Sequence, residues 1–279
     1  MTPSENFLVT NYRFAMSPMY KIGDHKLMST VSALGVTPGI LTYNITKNEI
    51  IDLATRFDVG LVLGVNLHRI KEDKDKLISN KSFVQLRRSR NNFVSIDDEI
   101  IDTVKEIQQH NKIIIKDVSP DTREYWGGLL KIADAFELCD SGGAGVTSDY
   151  DYKSLAKWSL ELFPDKTIIA TGNVSSRENI QERLDVGYAS VLLGTLFALC
   201  EECKDIPIHT KIKMLQKNSI SRVNNQNLIV FGEVDTNDDK NHNKNYQRAL
   251  ECHGGMIYGS QSLSDAKIQS LQNLIKDLS

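Results

Sequence analysis

Residues 165–203 constrain this chain more than any other stretch. They read Asp165-Lys-Thr-Ile-Ile-Ala-Thr-Gly-Asn-Val, then a run with helical spacing, then Ala189-Ser-Val-Leu-Leu-Gly-Thr-Leu-Phe. Two short apolar strands each end in a small turn containing glycine, Thr171-Gly172-Asn173 and Leu193-Gly194-Thr195, with about one helix between them. That is the pattern of the last two βα units of an eight-stranded α/β barrel, whose adjacent loops form a phosphate site. Glycine lets backbone N–H groups approach a phosphate closely, and a helix N-terminus behind the turn adds positive potential. The segment predicts a phosphate-bearing ligand at the C-terminal face of a barrel.

The preceding chain alternates in the same way. Strand-like runs fall at 13–16, 39–43, 60–66, 82–86, 112–117, 135–139, 167–170 and 189–193. Helix-like runs separate them at 24–34, 47–56, 71–77, 97–110, 122–132, 152–162 and 176–185. In 97–110, Ile100, Ile101, Val104 and Ile107 share a face, and Ser95 or Asp97 caps it. Such alternation favours a parallel sheet covered by helices. Eight units fit a closed (β/α)₈ TIM barrel over about residues 13–205. A doubly wound open sheet is the alternative; it would put its phosphate loop after the first strand, where no G-x-G-x-x-G occurs. Residues 206–279 are expected as a C-terminal extension of the same single domain. It holds a helical run at 210–217 and a polar run at 235–245, expected as a mobile loop or a lid. An amphipathic helix over 264–278 closes it, capped by Ser264, with Ile268, Leu271, Leu274 and Ile275 apolar.

Composition narrows the function. The chain has 279 residues, 41% hydrophobic and 25% charged, ordinary values for a globular protein with a large core. A formal net charge of −3 gives no reason to expect nucleic acid or an acidic membrane as partner. No apolar run reaches the roughly 18 residues of a membrane span. The first residues lack a signal-peptide pattern, so a cytoplasmic location is the expectation. Four cysteines are too few for a disulfide framework. Cys200 and Cys203 form a C-x-x-C that reads as reduced thiols at a helix end; a metal or redox site would need further ligands or a thioredoxin-like context.

Barrel enzymes work at the C-terminal ends of their strands. That rule selects Ser17-Pro18-Met19, Asn66, 85–87, Lys116, Asp117, Asp140-Ser141-Gly142-Gly143 and the two glycine turns. In this order the motifs resemble those of the nitronate monooxygenase family, FMN-dependent barrels that also include flavin-dependent enoyl-acyl-carrier-protein reductases. The resemblance spans about 13–203 and is strongest over 112–203. It implies that Pro18-Met19, with Met16, lies under the flavin and that Asn66, in Gly64-Val65-Asn66-Leu67, contributes to it. Ser141-Gly142-Gly143 is similar to the run beside the isoalloxazine. Thr171-Gly172-Asn173 and Leu193-Gly194-Thr195 would hold the FMN phosphate through backbone amides and the Thr195 hydroxyl. Lys116 would place a cation near the flavin N1/C2 edge and stabilise the charge of the reduced ring. The plainer alternatives are ordinary turn glycines, and a strand-end lysine paired with Asp117 or Asp140.

One departure stands out. The family run is usually Gly-Gly-His, with the histidine as base; here it is Gly142-Gly143-Ala144-Gly145. Proton abstraction from carbon needs a base within hydrogen-bond reach. Asp140 and His68 are the candidates, with His253 behind them, and Lys116 completes the catalytic set. Arg87, Arg88 and Arg90 form a basic cluster after strand four, either solvated or an anion site. The resemblance implies an FMN-dependent oxidoreductase acting on a small organic substrate, with O₂ or NAD(P)H as redox partner and the oligomeric state left open. An NAD(P)H-dependent enoyl-thioester reductase is the alternative enzyme, and a degenerate FMN- or phosphate-binding barrel the alternative without turnover. No metal is expected.

Overall fold

A computed structural model describes residues 8, 11–19, 22–57, 59–78, 82–88, 94–141, 148–215, 219–223, 226–230 and 266–279. The eight expected strands are present: β1 (Phe14–Met16), β2 (Gly39–Leu41), β3 (Val62–Asn66), β4 (Phe83–Arg87), β5 (Lys112–Lys116), β6 (Ala135–Cys139), β7 (Thr167–Thr171) and β8 (Ser190–Leu193). They form one parallel sheet in the order β1-β8-β7-β6-β5-β4-β3-β2. The seam is bridged where the Met16 N–H donates to Thr37 O at 2.9 Å. A Cβ on Gly39 would sit 2.3 Å from the Met16 carbonyl oxygen, so only glycine lets the two backbones meet there. The result is a (β/α)₈ barrel.

Strand side chains alternate between two cores. Ala15, Val62, Phe83, Ile114, Ala135, Ile169 and Leu192 come from seven strands, yet they pack together with Leu8 as one cluster. Only the barrel interior can gather residues from so many strands. The larger cluster lies between the strands and their helices. Because the side-chain period is two, the register fixes which residues face inward higher up. Gln85 and Arg87 follow Phe83, Lys116 follows Ile114, Glu137 and Cys139 follow Ala135, and Thr171 follows Ile169.

The helices start where short polar side chains can hold their first amides. Asp24 caps α1 (His25–Ala33), Asp97 caps α4 (Asp98–Gln108) and Thr46 makes a capping box with Glu49 on α2 (Lys47–Arg56). The helix after β3 is α3 (Ile70–Ile78). The run expected as one helix over 122–132 is two short ones, α5 (Arg123–Trp126) and α6 (Leu129–Ile132). Gly127 breaks it, with φ at +40°. Asp151 caps α7 (Tyr152–Leu162) and Ser176 caps α8 (Arg177–Asp185).

Beyond β8 come α9 (Thr195–Leu199), α10 (Ile208–Met214), an antiparallel hairpin of β9 (Ser219–Val223) with β10 (Gln226–Val230), and α11 (Leu271–Leu278). The hairpin does not follow from the sequence reading. The last helix starts at Leu271 rather than near Ser264, because Ser270 accepts from the Asn273 N–H and caps it there; Ile268 precedes it. Leu271, Leu274, Ile275 and Leu278 bury its apolar face. Leu271 N–H donates to Glu202 and Glu201 N–H to Gln269 O, returning the chain to the end of the barrel. The polar run 235–245 lies outside the described residues. Among the described residues no helix is long and apolar enough to cross a membrane.

Candidate functional site

The inward residues at the C-terminal half of the barrel form a buried polar group inside an apolar ring. Lys116 Nζ lies 2.7 Å from Glu137 Oε1 and 3.4 Å from Asp117 Oδ1. Gln85 Nε2 donates to the other Glu137 oxygen. Gln85 and Glu137 are 0% exposed and Lys116 2%. Burial alone would push the Lys116 ammonium toward neutrality; Asp117 and Glu137 outweigh it, hold its pKa above the usual lysine range, and keep it charged. Gln85 Oε1 is buried and has no hydrogen-bond partner. With Nε2 fixed on a carboxylate, the amide cannot flip to satisfy it.

The segment after β1 closes one side of the mouth. Ser17 N–H donates to Leu193 O at 2.8 Å. A Cβ on Gly64 would lie 2.8 Å from Pro18 Cβ, so the glycine in β3 makes the room that Pro18 fills. Met19 is buried against the β8 turn; a Cβ on Gly194 would be 3.3 Å from its Sδ. Met16 points away from Ala15, into the layer between strands and helices, and Leu193 lies in that same layer. Arg87 reaches inward from β4, and its Nη1 donates to Pro18 O at 3.3 Å.

The two glycine turns are neighbours because β7 and β8 pair. The Thr171 hydroxyl donates across to Leu192 O at 3.2 Å. Gly172 has φ +102° and Asn173 φ +45°. Asp117, at φ +59°, is the other non-glycine residue of this kind among the described residues. They lie one and two residues past the ends of β5 and β7, at the C-terminal face, where such conformations gather around binding sites. Gly194 is the N-cap position of α9, no side chain caps that helix, and Thr195 is its first residue. An Arg183 from α8 braces this region. Its Nη2 lies 3.1 Å from Asp140 Oδ2 and 3.5 Å from Asn173 O, and its guanidinium stacks 3.9 Å from the Tyr152 ring centroid.

The remaining expected residues divide clearly. Asp140 is buried and bonded to Arg183. Ser141 is exposed, its N–H on Tyr150 O at 2.8 Å. Gly142, Gly143, Arg90 and His253 lie outside the described residues. Asn66 ends β3, and its side chain caps no helix. His68 is half-buried in the turn that follows, with Nδ1 buried and unpartnered. Arg88 stacks over Tyr125 at 5.8 Å. Cys139, Cys200 and Cys203 are buried. Burial raises all three thiols, Cys203 to about 11. Lys211 donates to the carbonyl oxygens of Cys200 and Cys203, at the end of the helix Thr195–Leu199. Among the described residues no group of His, Cys, Asp and Glu could hold a metal ion. Glu137 and Arg183 were missed. A carboxylate in the middle of the apolar strand Ala135–Cys139 was the available signal for Glu137; a helix arginine such as Arg183 carries none.

No sequence profile of a known family matches the chain, and no curated protein matches it. Solved structures do. FabK from Thermotoga maritima superposes with a TM-score of 0.78 at 15% identity, covering 97% of this chain and 92% of that one. A point mutant of the same protein gives 0.71 at 16% identity over the same shares. A nitroalkane oxidase from Streptomyces ansochromogenes gives 0.72 at 14% identity, covering 97% and 95%. The fold is shared. At these identities the likeness shows the barrel and leaves the chemistry to the site.

Proposed function

We propose that the chain is an FMN-dependent oxidoreductase that oxidises a small organic substrate at the C-terminal face of its barrel. The observation that carries this is Gln85 Oε1: a fully buried acceptor with no donor, inside the barrel, on the side of the strands where the two glycine turns lie. An unsatisfied buried acceptor costs about 1–3 kcal/mol, so it implies a missing donor. A flavin ring carries an N–H that can supply one, and its phosphate suits the amides of the Gly172 and Gly194 turns. When bound, FMN supplies the redox chemistry that no side chain here can.

The residues around it have definite tasks. Gly172, Asn173, Gly194 and Thr195 present backbone amides to the phosphate, with Thr171 and Arg183 fixing the turns. Met19 and Pro18 provide an apolar bed. Lys116, kept charged by Glu137 and Asp117, supplies a fixed positive field in a water-poor interior. Of the two bases, Asp140 is committed to Arg183. His68, with a ring nitrogen unsatisfied, is the better acceptor for a substrate proton.

The purified protein should be yellow and should release about one FMN per chain on denaturation; colourless protein that fails to take up added FMN rejects the reading. Anaerobic bleaching by an alkyl nitronate supports oxidation of that class. Bleaching by NADH or NADPH instead supports the enoyl-thioester reductase, which Arg87 also suits as a docking point for an acidic substrate.

A further inference from the structure

Among the described residues, Arg87 is a cation without a counter-ion. It ends β4, two residues above Gln85 on the inward row, and is half-buried. Its hydrogen bond, Nη1 to the neutral Pro18 oxygen at 3.3 Å, is long. Among the described residues no carboxylate pairs with it. The carboxylates of Glu137 and Asp117 are both engaged by Lys116. Lys116 is moreover close enough for the two positive charges to oppose each other. A guanidinium has five N–H donors in a planar fork, and partly desolvating it with one weak acceptor is unfavourable unless an anion completes it. Its register partner on β3 is Asn66, whose amide caps no helix.

We propose that Arg87 is the substrate's anion site, receiving a planar two-oxygen anion, a carboxylate or a nitronate. The fork matches two oxygens on one atom, which a point-charge ammonium does not. Pro18 O holds one arm of the fork, so the guanidinium is oriented before the anion arrives. This rests on the flavin reading above and adds the class of molecule that sits over the ring.

The test uses the full-length, FMN-loaded protein and its R87A and R87K variants. Propionate, propyl-2-nitronate and neutral propionamide are titrated anaerobically, and the flavin absorbance bands are followed. Both anions should give saturable responses in the wild type, a band shift for propionate and a shift or bleaching for propyl-2-nitronate, and propionamide should give none. The dissociation constant should rise at least about tenfold in R87A and about threefold in R87K, with FMN content unchanged. Wild-type affinity for both anions in R87A overturns the proposal. So does equal binding of propionate and propionamide, and so does loss of FMN from R87A, which would assign the guanidinium to the cofactor. A shift for only one anion narrows the site to that anion, provided R87A abolishes it. Should the wild type take up no FMN, the cofactor reading fails alone. Calorimetric titration of propionate into wild type and R87A then decides the anion site, equal heats overturning it.

Discussion

The β5–β6 side and the β4 side of the barrel mouth each carry a cation, and they are treated oppositely. Lys116 is fully enclosed and answered by two carboxylates and, through Glu137, by an amide. Arg87 is half-exposed and, among the described residues, answered by a single carbonyl. The first cation is charge-balanced without a ligand, although Gln85 Oε1 beside it still lacks a donor; the second is not balanced. A balanced cation holds geometry, whereas an unbalanced one is where a ligand's charge has something to do.

The sharpest way to break this comparison is Glu137→Leu. It removes the nearer of the two carboxylates from a buried ammonium and frees Gln85, and should cost about 3 kcal/mol in denaturant unfolding. Pairing it with Lys116→Met should recover most of that loss; no recovery would mean the pair is not the unit. Arg183→Gln is next. It removes charged hydrogen bonds to Asp140 and Asn173 and should cost about 1.5–3 kcal/mol, with weaker FMN retention as a second readout. Arg87→Ala should change stability by less than about 1 kcal/mol, and a larger drop would place Arg87 with the structural group. The pH response separates them further. The Lys116 pKa is raised on folding, so its stabilisation is complete below the ordinary lysine value of 10.5 and is lost as pH rises through the folded value. The unfolding midpoint should show no Lys116 contribution to its pH dependence near neutrality. Any decline due to this group above about pH 10.5 should vanish in Lys116→Met. Smallest is thiol chemistry: Cys139, Cys200 and Cys203 should alkylate slowly in the native protein at pH 8 and fully once unfolded.

Much of this architecture is legible in the sequence because it is periodic. Eight apolar runs spaced by amphipathic ones admit few topologies, and the strand register then follows from alternation. Lys116 and the glycine turns were visible for the same reason, since each marks a strand end. Glu137 was hidden because its partners, Lys116 and Gln85, are 21 and 52 residues away and meet it only on closure. The base of the glycine turns was hidden likewise, as Arg183 reaches 43 residues back to Asp140. The final helix was misplaced at its start because Ser264 and Ser270 are equally good caps locally; the observed start puts Leu271 and Leu278 on the buried face.

Glu202 and Gln269 give the chain an unusual economy of attachment. The polypeptide leaves at the end of α9 and comes back within hydrogen-bond distance of the same spot, about 68 positions later. A departure and a return that share one doorstep make a natural splice point.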